Sequence, residues 1–115
     1  MWRFCIMLLL IIINYAQSHL LALKKVFRSK PYNQTAYPGE SVVMKCSPPR
    51  GYPVPTVSWL HNGLPVTNTS RTFISPKGNL TISSVTEADQ GTYVCKSSSP
   101  LGKQNSNKAW LTIGM

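Results

Sequence analysis

Short stretches of this chain alternate apolar and polar residues with a period of two, and Gly, Pro and Asn separate them, as in half-buried β-strands. Residues 41–46 put Val42, Met44 and Cys46 on one face, and residues 57–61 put Val57 and Trp59 there. Residues 80–83 contribute Leu80 and Ile82, residues 91–97 Tyr93 and Cys95, and residues 108–113 Ala109, Leu111 and Ile113. These residues form the expected core. Residues 72–75 read as a further strand, turned by Pro76-Lys-Gly-Asn79 into the next. Asn62-Gly63 is a strong turn signal. One short strand fits between residues 62 and 72. The proline-rich residues 48–55 read as a rigid connection, because each ring fixes its own φ and restricts the residue before it. Residues 98–107 read as a long polar hairpin tip. The expected fold class is all-β.

The first residues break this pattern. Phe4 to Ile13 is an unbroken apolar run behind a basic start, with the small-x-small triplet Ala16-Gln-Ser18 after it. This reads as a signal peptide over residues 1–18, with one domain over 19–115. The run is too short to span a bilayer, which needs roughly 20 residues. Cleavage would remove Cys5 and leave Cys46 and Cys95, an even number in an oxidising compartment. Residues 108–113 are followed by no apolar stretch, so the expected product is secreted or extracellular, without a membrane span.

A Cys, a Trp thirteen positions later, and a second Cys with a Tyr two residues before it resemble an immunoglobulin sandwich. Cys46, Trp59, Tyr93 and Cys95 carry this pattern, the last two within Asp89-Gln-Gly-Thr-Tyr-Val-Cys95. The resemblance implies two antiparallel sheets joined by a Cys46–Cys95 disulfide. Trp59 would lie against the bridge, and the Tyr93 hydroxyl would close a corner onto the chain just upstream. A bridge closing a loop of about 49 residues is worth on the order of 4 kcal/mol. Arg71 and Asp89 are expected to form a structural ion pair at one end. The single short strand between residues 62 and 72 argues for an intermediate-set domain over a nine-stranded variable one.

A narrower resemblance lies in Val26-Phe-Arg-Ser-Lys-Pro31, Gly39-Glu-Ser-Val-Val-Met-Lys-Cys46 and Ser47-Pro-Pro-Arg-Gly-Tyr-Pro-Val-Pro-Thr-Val-Ser-Trp59. These segments are similar to the second immunoglobulin domain of the Roundabout axon-guidance receptors. The likeness implies a module from a cell-surface recognition and guidance system. Such receptors bind secreted Slit ligands chiefly through their first immunoglobulin domain, with heparan sulfate as co-receptor. Arg50 is the basic residue inside the shared motif.

Charge adds a second kind of partner. Twelve Lys and Arg stand against three acids, a net charge of +9. Such an excess favours polyanions, which outside the cell means sulfated glycosaminoglycans and anionic cell surfaces more often than nucleic acid. Lys24, Lys25, Arg28 and Lys30 form one basic group, and Lys96, Lys103 and Lys108 another. Sequons begin at Asn33, Asn68 and Asn79, and two of the three are expected to carry glycan. Asn33 and Asn79 are expected on the sheet that holds residues 41–46 and 80–83, which sugar would then shield.

The opposite sheet is expected to be free of sequons. Its outward positions include Leu60, Val94, Lys96, Lys108 and Trp110, the expected partner-binding patch. An exposed strand Trp is unusual and favoured at binding hot spots. Catalysis is not expected. Two histidines, His19 and His61, and three acids remain after cleavage, and nothing resembles a nucleophile constellation, a metal-ligand spacing or a phosphate loop. No cofactor or metal is implied. The expected function is recognition of an extracellular protein, or self-association, with heparan sulfate as a further partner. The alternatives are an adhesive or structural piece of a longer multi-domain receptor and a secreted immune modulator.

Overall fold

The structure, a computed structural model, describes residues 26–115. The signal-peptide expectation, His19, and Lys24 and Lys25 lie outside the described residues. Among the described residues nine strands run in the order β1 (Gln34–Ala36), β2 (Val42–Met44), β3 (Thr56–His61), β4 (Leu64–Pro65), β5 (Thr72–Ile74), β6 (Leu80–Ile82), β7 (Gly91–Ser99), β8 (Gly102–Asn105) and β9 (Ala109–Ile113). A 3-10 turn, Glu87–Asp89, precedes β7.

Two sheets face each other. The larger has the order β1-β9-β7-β3-β4, with β8 paired to β7, and the smaller is β2-β6-β5. The core between them holds all the expected inward residues except Val57, which is half-buried. Met44, Cys46, Trp59, Leu80, Cys95, Ala109 and Leu111 are fully buried. Phe27, Ala36 and Val85 join this core from outside the alternating stretches. The Cys46–Cys95 disulfide ties the sheets across a separation of 49 residues.

Three sequence expectations need correction. β2 ends at Met44 and does not run to residue 46. The Cys46 N–H donates to Oδ1 of Asn79 at 3.1 Å, so a side-chain amide replaces the next rung of the ladder. The polar hairpin tip at 98–107 is mostly strand. β7 continues to Ser99 and pairs with β8 from Lys96↔Asn105 to Ser99↔Gly102, leaving Pro100 and Leu101 as the turn. Its side chains are polar on both faces, so no alternation marks it, but backbone pairing does not need apolar side chains.

The third correction concerns Asn33. β1 pairs in parallel with β9, Gln34 opposite Leu111 and Ala36 opposite Ile113. Asn33 therefore lies at the edge of the larger sheet, not on the β2-β6 sheet, and the larger sheet does carry a sequon. The partner of β1 is 77 residues away at Asn33–Trp110, and local periodicity carries no information on that pairing.

Candidate interaction surface

Conserving the sandwich geometry is the task of one set of side chains. Trp59 Nε1 donates to the Gly78 carbonyl at 2.8 Å, which satisfies its buried N–H. The Tyr93 hydroxyl donates to the Asp89 carbonyl at 2.6 Å, four residues upstream. Burial first, then the Asp89 carboxylate, pushes the Tyr93 hydroxyl well above its ordinary pKa, so it remains a donor. The His61 ring stacks on Tyr93 with centroids 4.4 Å apart, and its Nε2 donates to Gln90 O at 3.0 Å.

Arg71 grips Asp89 with two bonds, Nη1 to Oδ2 at 3.0 Å and Nη2 to Oδ1 at 3.3 Å. The same Nη1 reaches the carbonyls of Ser83 and Ser84. Asp89 also accepts the Thr86 N–H at 2.8 Å, which closes the 3-10 turn. Burial alone would raise the Asp89 pKa, but the Arg71 and Thr86 hydrogen bonds outweigh it and hold the carboxylate below its usual range.

The outer face of the larger sheet is different in character. Alternation along β3, β7 and β9 sends Leu60, Thr92, Val94, Lys96, Lys108 and Trp110 outward. Leu60 stands opposite Val94, and Thr92 opposite Trp110. Trp110 is thus a diagonal neighbour of Val94, within reach of a large aromatic ring. Trp110 is 55% exposed, far more than a packed strand Trp needs to be. A shallow concavity of about 510 Å³ opens here, lined by Leu60, Thr92, Val94, Asn105, Lys108 and Trp110 among others. Asn62 borders it and fixes the edge, accepting the Thr92 N–H at 2.9 Å. Lys96 lies on the same face, opposite Ser58 on β3 and Asn105 on β8, but does not line the concavity. Asn105 was not anticipated from the sequence, because it depends on the polar strand β8.

The fold also carries Lys30 to the β7–β8 hairpin. Lys30 borders the same small depression as Gln104, Asn105, Ser106 and Asn107. Lys30 therefore meets the hairpin that carries Lys96 and Lys103, joining two groups that are far apart in sequence. Arg28 is engaged at its base, Nε donating to Pro48 O at 3.1 Å. Arg50 is exposed.

Each sequon Asn uses its Oδ1 to accept a backbone N–H. Asn33 accepts from Trp110 at 2.9 Å, Asn68 from Ile74 at 3.1 Å and Asn79 from Cys46 at 3.1 Å. Asn33 and Asn68 are exposed, and Asn79 is half-buried. Among the described residues, no group of three His, Cys, Asp or Glu could hold a metal ion, and no helix is long and apolar enough to cross a membrane.

Two sheets stapled by one disulfide, a Trp against it and a tyrosine corner define an immunoglobulin-type sandwich. Residues 24–99 match the family model of the immunoglobulin domain, and the chain belongs to that family. It is 37% identical over 102 residues to Protein sax-3 of Caenorhabditis elegans, covering 87% of this chain and 8% of that protein. It is 36% identical over 91 residues to Roundabout homolog 1 of Homo sapiens, covering 79% of this chain and 6% of that protein. The chain thus spans less than a tenth of the length of these two curated relatives. Among solved structures it resembles the N-terminal two-domain immunoglobulin module of the Drosophila receptor protein tyrosine phosphatase DLAR. That match has a TM-score of 0.73 and 27% identity, and covers 78% of this chain and 45% of that one. The chain is therefore an immunoglobulin domain related to receptors of the Roundabout kind.

Proposed function

We propose that this chain is an extracellular, non-enzymatic recognition module that binds a protein through the outer face of β3, β7 and β9. The observation that carries this reading is the concavity beside Trp110, where Leu60, Val94 and Trp110 give apolar contact and Lys108 borders them. An exposed aromatic that a partner can bury, ringed by polar groups, is the usual composition of a binding hot spot. The fitting partner presents an apolar contact flanked by acidic side chains, complementary to Lys96 and Lys108. The likeness to sax-3 and Roundabout homolog 1 supports a partner among guidance and adhesion proteins.

A second reading, heparan sulfate binding, is favoured by one observation: Lys30 stands beside the hairpin that carries Lys96 and Lys103. Spread lysines suit sulfate groups as point charges. Cell-surface binding of the domain, measured before and after heparinase and with the double variant L60S/W110A, tests both. The protein reading expects binding that survives heparinase and falls at least about tenfold in the double variant, the loss of one or two hot-spot side chains. A folded double variant that binds as well as the parent overturns it. Binding abolished by heparinase supports the polyanion reading in its place.

A further inference from the structure

Asn33 and Trp110 are register partners at the edge of the larger sheet. Gln34 pairs with Leu111 and Thr35 with Thr112 in parallel, so residue 33 lies level with residue 110. Parity then fixes the face. Ala36 and Leu111 are buried, whereas Thr35, Trp110 and Thr112 are exposed. Asn33 shares the parity of Thr35 and so belongs to the outer face that displays Trp110. Its Oδ1 accepts the Trp110 N–H at 2.9 Å, which orients the carboxamide. Nδ2, the atom a transferase modifies, makes none of the described hydrogen bonds. Neighbouring strands are only about 4.8 Å apart, less than the width of a pyranose ring.

We infer that Asn33 carries an N-linked glycan whose first N-acetylglucosamine packs on the exposed indole of Trp110. The acceptor triplet is Asn33-Gln-Thr35, and Thr35 is the residue the transferase requires two positions on. In the transfer, Nδ2 displaces the lipid diphosphate from the anomeric carbon of a lipid-linked oligosaccharide. The C1–O bond to phosphate breaks, the Nδ2–C1 bond forms, and one amide proton passes to a base of the transferase. Oδ1 takes no part, so its bond to Trp110 survives the modification. The apolar face of the sugar then covers an indole that is 55% exposed in the bare chain, removing apolar surface from water. The other two sequon side chains are held elsewhere, Asn68 by the Ile74 N–H on β5 and Asn79 by the Cys46 N–H.

One consequence rests on the proposed function. If the Trp110 face binds a protein, occupancy at Asn33 closes that face, and an unoccupied site leaves it open.

The test uses the full chain expressed in a mammalian secretory line, alongside Thr35→Ala, which removes the sequon but keeps the Asn33 amide and its bond to Trp110. Glycopeptide mapping is expected to find Asn33 occupied. The difference in acrylamide quenching of Trp fluorescence between the two forms reads the cover on Trp110, because Trp59 is fully buried and Trp2 is common to both sequences. The quenching constant is expected to rise about twofold in Thr35→Ala, as a covered ring becomes open. Trp110→Ala should erase the difference between glycosylated and sugar-free forms. An unmodified Asn33, or equal quenching of parent and Thr35→Ala, overturns the inference. Partner capture by the Thr35→Ala form tests the proposed function separately, so either reading can fail without the other.

Discussion

The Tyr93 hydroxyl reaches the main-chain carbonyl of Asp89 at 2.6 Å, locking the start of β7 to the turn that leads into it. Tyr93 is 2% exposed, so water cannot replace the donor when it is removed. Tyr93→Phe keeps the ring volume and its stack with His61 but leaves that carbonyl unpaired. The expected loss is about 1–3 kcal/mol, read as a lower midpoint in urea with an unchanged slope.

Asp89 gives the domain an acid limit. Its folded pKa lies below the unfolded value of about 3.9, because the Arg71 and Thr86 hydrogen bonds overcome the opposing effect of burial. The stabilisation is therefore fully present above the unfolded pKa and is lost as pH falls through the folded one. Thermal midpoints should be level in this respect from neutral pH down to about pH 5 and decline below about pH 4. Asp89→Asn should lower the neutral midpoint and flatten the acid decline. Asp89→Ala strips the Thr86 N–H of its acceptor and Arg71→Ala strips the Ser83 and Ser84 carbonyls of their donor, so each should lower the neutral midpoint. An acid decline of unchanged steepness in Asp89→Asn would contradict this assignment.

Asn79 has a structural duty apart from any sugar. In protein made without glycosylation, Asn79→Ala leaves the Cys46 N–H without its acceptor and should cost about 1–2 kcal/mol. Asn79→Asp keeps an acceptor oxygen and should retain most of that stability. Equal losses in the two variants would show that the hydrogen bond is not the cause.

Gly78 occupies a place that a side chain cannot. Its φ is +112°, and an added Cβ would come 2.7 Å from the Cys46 carbonyl oxygen and 3.1 Å from Val57 Cγ2. Its own carbonyl holds the Trp59 indole. Gly78→Ala should cost about 2 kcal/mol or more, from backbone strain and displacement of that acceptor. Near-ultraviolet circular dichroism should show Trp59 perturbed.

Much of this could be read from the chain because period-two burial is a local signal. Val42, Met44, Trp59, Leu80 and Leu111 declare their face through their immediate neighbours. Phe27 and Val85 do not: they enter the core from loops anchored by backbone bonds, such as Gly39 N to Val85 O at 2.9 Å, and belong to no alternating run. β8 was hidden by its polar composition, and its hairpin rests on backbone pairing around Pro100-Leu101. The site was half legible. Leu60, Val94, Lys108 and Trp110 follow from parity, whereas the approach of Asn33 to Trp110 and of Lys30 to the β7–β8 hairpin depends on long-range topology. No local pattern encodes which sheet β1 joins.

The parallel pairing of β1 with β9 also governs how the domain answers mechanical load. Tension applied at Val26 and Met115 pulls these two strands along their axes in opposite directions. The three pairs from Gln34↔Leu111 to Ala36↔Ile113 are then sheared together, not unzipped one by one. If they part, the covalent link between Cys46 and Cys95 keeps the intervening chain from paying out, so extension is confined to the flanking segments.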